Sequence, residues 1–516
     1  LEISKRDLKP ERTDLPRTEA ISYFKTKRDD PYKVEILETI AKDEENVSLY
    51  TQGGFTDLCR GPHLPSTSKV KAVKLLSVSG SYWRGDENRQ MLQRIYGISF
   101  PKQKDLDQYL HDLEEAKKRD HRKLGKELDL FSFHEEGPGF PFWHNNGMIL
   151  LNNLKDFLRD KLRKLDYQEI NTPIILNQKL WLQSGHYENY KENMYFTEID
   201  ERDFAVKPMN CPGSTLVYRT SMKSYRDLPL RLFEFGLVHR HELSGVLSGL
   251  FRVRSFTQDD AHVFCTPEQI EEEITVLINL IFDVYSAFGF TDVQVYLSTR
   301  PEKFIGSEEI WNNAEKSLAL ALEKANVKYK VNAGDGAFYG PKIDFVVKDS
   351  LRRNWLLGTI QLDFSMPERF GLEYIAPDGK TARPVMIHRA VLGSFERFVG
   401  VLIEHYAGYF PLWLAPVQVT VLPITDAQFD YANDIASKLI NNGFRVNIDS
   451  RNEKIGYKIR EAENKKVPYM VVVGEKEKES GQISVRQHKK GDIGKFGLNE
   501  FIEKLNLQVS KKEYYN

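Results

Sequence analysis

The chain runs to 516 residues, 41% of them hydrophobic and 28% charged, with a formal net charge of −1. That length is too great for one core and fits three or four domains at roughly 100–200 residues each. The near-neutral balance excludes a protein whose nucleic-acid binding is carried by bulk charge, so any such contact must use local basic patches. Three cysteines, Cys59, Cys211 and Cys265, form no CxxC pair; they exclude a disulfide scaffold and fit the reducing cytoplasm. No apolar run approaches the ~18 residues of a membrane span. The polar start LEISKRDLKPERTDLP carries no secretory signal and reads as mid-domain.

In chain order, residues 1–104 mix short helices and strands, with turns at Gly53-Gly54 and Gly61-Pro62. From Asp105 the pattern turns helical, with Leu106, Leu110 and Leu113 on one stripe and charges on the other faces. A linker helix is expected over 105–128, ending near Gly125. Its basic run KKRDHRKLGK, residues 117–126, is either a nucleic-acid contact or a solvated helix face. A large segment follows over 129–411. It opens on the turn-rich EEGPGFPFWHNNG and an amphipathic helix bearing Leu151, Leu154, Leu158, Leu162 and Leu165. Strands are expected at YQEINTPIIL, FEFGLVHRHE, FRVRSFTQDDAHVF, DVQVYLS, KIDFVVKD and WLLGTIQLDF. They are aromatic-rich and often follow one another without helices, which predicts an α+β domain around a mainly antiparallel sheet. From Leu412 to the end, VQVTVLPI, FRVNID, YMVVVG and QISVRQ alternate with the helices DAQFDYANDIASKLINNG and EKIGYKIREAENKK, a compact α/β domain.

No GxxxxGK[ST] loop is present, and no GxGxxG joins a strand to a helix. What remains is a set of arginines. VHRHE puts Arg240 and Glu242 two apart, on one face of a strand. GSFERF puts Arg397 on a helix beginning near Gly393. Two planar guanidinium forks can hold a triphosphate and stabilise charge building at its α-phosphate. Taken alone, each arginine is more often a surface ion pair.

As a set, these features resemble the class II aminoacyl-tRNA synthetases. A helix and strand ending at Pro173 match the first motif, Arg240 and Glu242 the second, and Glu396 and Arg397 the third. The strings KPMNCPGS, SYRDLPLR, FTQDDAHVFC, LSTRPEKFIGS, GAFYGPKIDF, PVMIHRAVLGSFERF and RNEKIGYKIRE, in order, are similar to the threonyl-tRNA synthetase family, from the first residues to about 507. The resemblance implies a class II catalytic domain at 129–411, a partial editing domain at 1–104 and an anticodon-binding domain at 412–516. It also implies a cytoplasmic homodimer whose partners are tRNA(Thr), ATP and L-threonine, with no membrane association.

The resemblance further implies one Zn2+ per subunit, held by Cys211, His262 and His388. Spacing alone would not have singled these out, because a lone buried His or Cys is usually a core residue. Three protein ligands leave open positions on the metal, the arrangement of a substrate-binding site. Threonine's amino nitrogen and hydroxyl would fill them, with Asp260 accepting the hydroxyl proton. A site built for that hydroxyl rejects valine by about 10⁴-fold or more, whereas serine loses only a methyl, worth roughly 1–3 kcal/mol. Editing is then needed. Cys59 and His63 in DLCRGPH, with Lys33 in DPYKVE, match part of the family's editing site; its HxxxH half does not occur in this sequence, and poor editing of Ser-tRNA is expected. Read without the family, Cys59 and His63 are a helix-surface pair or a packed cysteine.

For ATP with Mg2+, the resemblance assigns Arg240 to the α-phosphate and Glu242 with Phe256 to adenine. Without the family, Phe256 is as readily a core residue. Arg252 and Arg397 would face the outer phosphates and the adenine ring. Tyr339, Lys342 and Gln361 would line the site, with Gln258 and Met209 beside the amino acid. His186 in QSGHYEN is either a proton-transfer helper or an ordinary surface histidine. Asn452, Glu477 and Arg486 match positions that read anticodon bases, whose exposed edges such side chains can pair with; in isolation they are surface polars. Three residues depart from the family, near the nucleotide: Ser214 and Ser248 stand where histidine is common, and Leu356 where glutamine is. Two other readings remain: a class II synthetase for another amino acid, such as serine or proline, and a non-catalytic synthetase-like RNA-binding protein.

Overall fold

The structure, a computed structural model, describes residues 2–512. The chain divides into two compact units, Leu1–Glu115 and Ala116–Asn516. Among the described residues no helix is long and apolar enough to cross a membrane.

In the first unit, β1 (Glu11–Pro16), β2 (Asn46–Gln52) and β3 (Phe55–Leu58) form an antiparallel meander. Helices α1 (Arg17–Thr26) and α2 (Pro31–Thr39) pack on it around Ala20, Phe24, Leu37, Val47 and Leu49. Helix α2 starts where it does because the Asp30 carboxylate accepts the N–H groups of Tyr32 and Lys33, each at 3.1 Å, and Pro31 has no N–H to lose. A two-stranded ribbon follows, β4 (Ala72–Tyr82) against β5 (Met91–Phe100), with Leu75, Val78 and Ile95 exposed. The α+β character expected of this region is present.

The linker helix expected over 105–128 is two helices, α3 (Gln103–Arg119) and α4 (His121–Glu127). Asp120 breaks the pair: its backbone is non-helical and its carboxylate accepts from Arg122 N at 2.8 Å. An Asp inside a basic run is an N-cap signal that the stripe of leucines conceals. The basic run is divided accordingly. Arg122 is exposed and paired with Asp120, whereas His121 is buried.

The second unit is built on an eight-stranded sheet. Its elements begin with α5 (Asn145–Arg163), the edge strand β6 (Gln168–Glu169) and a short helix α6 (Cys211–Tyr218). Next are β7 (Leu230–His239), β8 (Ser255–Cys265), α7 (Ile270–Ala287), β9 (Val293–Ser298), α8 (Glu308–Lys324) and β10 (Tyr329–Asn332). The remainder are β11 (Lys342–Lys348), β12 (Asn354–Asp363), β13 (Val385–Ser394) and α9 (Phe395–Tyr406). Sheet order is β10-β9-β11-β12-β13-β8-β7-β6, antiparallel at every step except the two edge pairs. The mainly antiparallel sheet read from the sequence is therefore correct. Helix α5 buries Leu151, Leu154, Leu158 and Leu162 as its periodicity predicts, joining a core with Leu277, Ile281, Val399 and Leu402 from α7 and α9.

Three local expectations are corrected. YQEINTPIIL is not one strand, since only Gln168–Glu169 and Ile175–Asn177 pair. Between them, Thr172 gives its N–H and hydroxyl to the buried Glu234 carboxylate instead of to a ladder. Strand β13 was not anticipated, and α9 begins at Phe395 rather than near Gly393, where Ser394 Oγ accepts from Arg397 N at 3.2 Å. Arg240 and Glu242 do not lie on a strand: β7 ends at His239, and both follow it in a loop.

A second sheet, β15-β14-β16-β17-β18, comprises β14 (Val419–Pro423), β15 (Val446–Ile448), β16 (Tyr469–Val473), β17 (Gln482–Gln487) and β18 (Gly491–Gly497). Helices α10 (Phe429–Asn441), α11 (Ile455–Asn464) and α12 (Leu498–Lys511) accompany it. Its own core holds Val419, Val421, Ile435, Leu439, Val471 and Phe501. The expected α/β alternation holds, and Gly443 closes α10 at a φ of 84°. The glycine-rich β18 and the terminal α12 were not read from the sequence.

Candidate active site

The loop that follows β7 and strands β8, β12 and β13 line a cavity of about 630 Å³. Register assembles its floor. His262 on β8 lies opposite His388 on β13, and His388 also lies opposite Gln361 on β12. Directly opposed residues on neighbouring strands hold their side chains close on one face; the two imidazoles stand 5.0 Å apart between ring centres. Cys211 arrives from the first residue of α6. The ligand atoms of Cys211, His262 and His388 all lie within 4.8 Å of one another, and all three residues are buried. Residues more than 170 positions apart in sequence thus meet at one point.

The electrostatics of this trio suit a metal. Burial pushes the Cys211 thiol well up and holds the His262 imidazole well down, so without a cation both are neutral. A neutral imidazole is ready to ligate, and a dication offsets the cost of forming a buried thiolate. Asp363, fully buried at the end of β12, accepts from His388 Nε2 at 2.9 Å. That is the outer carboxylate a metal-bound histidine commonly has. The donor set, one soft sulfur and two nitrogens, fits Zn2+ with a position left open.

Asp260 lies beside the trio, 3.8 Å from His262 Nε2. Burial pushes its carboxyl up to about 6, against the pull of a 3.0 Å hydrogen bond from Asn210 Nδ2. Asn210 stands at the N-cap of α6 but makes no capping bond, its amide being given to Asp260. Gly236 makes this possible, because a Cβ there would fall 2.3 Å from the Asn210 amide. Asn210 and Asp363 are site residues that sequence reasoning missed. Asn210 adjoins Cys211 in a quoted string, whereas nothing in the sequence marks Asp363.

The other end of the cavity is cationic. Arg240, Arg252 and Arg397 line it together. Burial lowers the Arg397 guanidinium's pKa, and the charges of Arg252 and Arg240 lower it further. Glu242 pairs with Arg252 at 3.1 Å. Arg397 Nε is fixed by Phe251 O at 3.1 Å and Arg240 Nε by Pro208 O at 3.2 Å. The Arg240 guanidinium lies over the Phe256 ring at 5.0 Å and over Tyr190 at 5.5 Å, so Phe256 faces the cavity rather than the core. Tyr190 was also missed. Behind Arg397, Glu396 accepts from Thr257 N at 2.8 Å, and burial pushes its carboxyl up to about 7.

Most of the residues expected at the site converge here, with Met209, Gln258, Tyr339 and Gln361 on the same wall. Tyr339 donates its hydroxyl to Gln361 Oε1. Lys342, opposite Gln361 in the ladder, pairs with Asp344 at 3.0 Å just outside the cavity lining. His186 is not a surface histidine. It is 1% exposed, with Ser184 Oγ at 2.8 Å and Met209 Sδ at 3.1 Å, and burial holds its imidazole down at about 4. Of the three departures from the family, only Leu356 lines the cavity. Ser214 is buried within α6, donating to Cys211 O at 2.8 Å, and Ser248 is exposed on a loop.

In the first unit, Cys59 Sγ and His63 Nε2 lie 3.2 Å apart on an irregular segment, so the pair is not on a helix surface. Tyr50 stacks on His63 at 4.1 Å, and Lys33 pairs with Asp57 at 3.0 Å. In the last segment Asn452 is exposed before α11 and Arg486 is half-buried on β17. Glu477 is mostly buried, accepting from Gly474 N and Ser484 Oγ.

Three known domain families match the chain: the tRNA synthetase class II core domain (G, H, P, S and T) at residues 195–406, an anticodon binding domain at 418–507, and the threonyl and alanyl tRNA synthetase second additional domain at 47–96. The threonine--tRNA ligase of Caldanaerobacter subterraneus subsp. tengcongensis is 62% identical over 99% of this chain and 79% of its own length. That of Clostridium botulinum strain 657 is 61% identical over 99% of this chain and 80% of its own. Among solved structures, the RNA binding domain of threonyl-tRNA synthetase from Cryptosporidium parvum Iowa II superposes with a TM-score of 0.73 at 44% identity, covering 75% of this chain and 98% of its own. With a class II core, an anticodon-binding domain and these identities over nearly its whole length, the chain belongs to the threonine--tRNA ligase family.

Proposed function

We propose that the chain charges tRNA(Thr) with L-threonine through a threonyl-adenylate, recognising the amino acid at a zinc centre. One observation carries the reading: a single cavity has a Cys–His–His trio and Asp260 at one end and three arginines at the other. These are a site for a hydroxy-amino acid and a site for a polyphosphate, side by side.

In the proposed reaction ATP enters with Mg2+, its phosphates held by Arg240, Arg252 and Arg397 and its adenine by Glu242 and Phe256. Cys211, His262 and His388 would hold Zn2+, which supplies open positions for the substrate's amino and hydroxyl groups. Asp260 accepts the hydroxyl's hydrogen bond, oriented by Asn210. Met209, Gln258, Tyr339 and Gln361 close the wall around the amino acid. The threonine carboxylate attacks the α-phosphorus in line and pyrophosphate leaves; Arg240 and Arg397 stabilise the charge that builds. A ribose hydroxyl of the tRNA's terminal adenosine then attacks the activated carbonyl and AMP leaves. Most of the rate comes from positioning. His186, buried and neutral against Met209, supports the site rather than shuttling protons through solvent.

Segments 129–411 and 412–516 are assigned to catalysis and anticodon binding, with Asn452, Glu477 and Arg486 at the bases. Segment 1–104 is assigned to editing, with Lys33, Cys59 and His63. The first motif supports a homodimer, and the sparse, unpaired cysteines are in keeping with the cytoplasm. Threonylation of tRNA(Thr) by the purified, zinc-replete chain tests the reading. Tight tRNA binding without charging would favour the non-catalytic alternative.

Leu356, 43% exposed at the nucleotide end, offers no hydrogen bond where a glutamine would. Leu356→Gln is expected to lower the KM for ATP several-fold, about one hydrogen bond's worth. An unchanged KM would show that this wall does not touch the nucleotide.

A further inference from the structure

His121, the first residue of α4, is 2% exposed and far from the cavity lining in sequence. Its Nε2 accepts from Leu250 N at 3.0 Å, so the ring proton sits on Nδ1, where it meets Glu404 Oε1 at 2.7 Å. The His121 backbone N–H reaches the same oxygen at 3.0 Å. Glu404, on α9, is held from its other side by Arg353 at 2.6 Å, and Arg353 is held by Asp349. Asp120, His121 and Glu404 together have the composition of a metal site. Both His121 nitrogens are already used, however, and Asp120 is committed to Arg122.

What His121 grips is the turn over 248–252. Leu250 is fully buried, and the Phe251 ring lies between His121, at 4.1 Å, and Trp355, at 4.3 Å. Gly400 on α9 leaves room for this turn, since a Cβ there would meet Phe251 at 2.9 Å. Two site residues depend on the turn. Phe251 O fixes Arg397 Nε, and Arg252 leaves the turn directly into the cavity. Gly249 sits against the histidine at a φ of +48°; a Cβ there would fall 2.2 Å from His121 Nε2.

We infer that His121 is a positioning residue for the nucleotide end of the site: it clamps the 248–252 turn to α9 and so sets Arg252 and Arg397 for ATP. The inference rests on the reading that these arginines bind ATP. It is read in threonine-dependent ATP–pyrophosphate exchange on the full chain, with separate KM values for ATP and threonine. His121→Ala is expected to raise the ATP KM about ten-fold, the cost of one lost buried hydrogen bond, and to leave the threonine KM unchanged. His121→Gln, which keeps an acceptor for Leu250 N, recovers part of the loss. Gly249→Ala pushes the turn from the histidine without opening a cavity and reproduces the ATP effect even where His121→Ala fails to fold. If Arg252→Ala raises the ATP KM but His121→Ala and Gly249→Ala lower only thermal stability, or move both KM values equally, the inference is wrong and the arginine reading stands. If Arg252→Ala leaves the ATP KM unchanged, both fall.

Discussion

Cys211→Ala is expected to abolish threonine activation, by ~10³-fold or more, and to leave the purified chain without stoichiometric zinc. The trio has no reserve. His262 and His388 alone supply two nitrogens, fewer than the three protein ligands of an open zinc site. The two carboxylates beside the trio are already engaged, Asp363 in orienting His388 and Asp260 by the Asn210 amide. Metal binding at a buried thiol also carries the free energy that makes the thiolate, so removing sulfur removes the largest single contribution. Cys211→Ser keeps the size of the side chain but not its softness and should fall between. Metal analysis by mass spectrometry, run beside ATP–pyrophosphate exchange, checks both parts. Zinc retained at one per chain in Cys211→Ala, with activity intact, would place the metal elsewhere.

The second large effect is expected at the other end of the cavity. Arg240→Ala and Arg397→Ala should each cost ~10²–10³ in kcat/KM for ATP, about 3–4 kcal/mol, the usual cost of removing one preorganised donor from a developing negative charge. Both guanidinium groups are held in place by a backbone carbonyl before any ligand arrives, Arg240 by Pro208 and Arg397 by Phe251. Little ordering is then left to do on binding. Lysine is expected to recover only a small part, because it offers a point charge instead of a fork. Steady-state exchange at varied ATP reads this directly, and a loss under five-fold at both positions would remove the arginines from the phosphates.

Much of this architecture was legible in the residue order, for physical reasons that differ by element. Leu151, Leu154, Leu158 and Leu162 of α5 recur at three and four and are buried as that period requires, whereas Leu165, read into the same stripe, lies past the end of the helix and is partly buried. Strand β13 was hidden because it is buried on both faces. Its run VMIHRAVLGS has no alternation to read, and its histidine and arginine find partners in Asp363 and Asp259. The break at Asp120 was hidden because a cap is one residue long, while the helical stripe around it spans several turns. YQEINTPIIL has strand composition, but Thr172 is drawn out of any ladder by a buried lysine–glutamate pair, Lys207 and Glu234. The metal trio was legible only through family resemblance: nothing in the spacing of Cys211, His262 and His388 marks them, because strand register brings the two histidines together and α6 delivers the cysteine. Asp363 and Asn210 share that limit. Each acts through another side chain, and such roles depend on three-dimensional packing.

The central claim, that a zinc centre beside Asp260 reads the threonine hydroxyl, is tested most directly by ATP–pyrophosphate exchange with threonine, serine and valine on the zinc-replete chain, before and after chelation. The account predicts strong exchange with threonine, weaker exchange with serine and none above background with valine. Chelation should abolish exchange with threonine and added zinc should restore it. Valine supporting exchange comparable to threonine, or threonine exchange persisting after complete zinc removal, would contradict it.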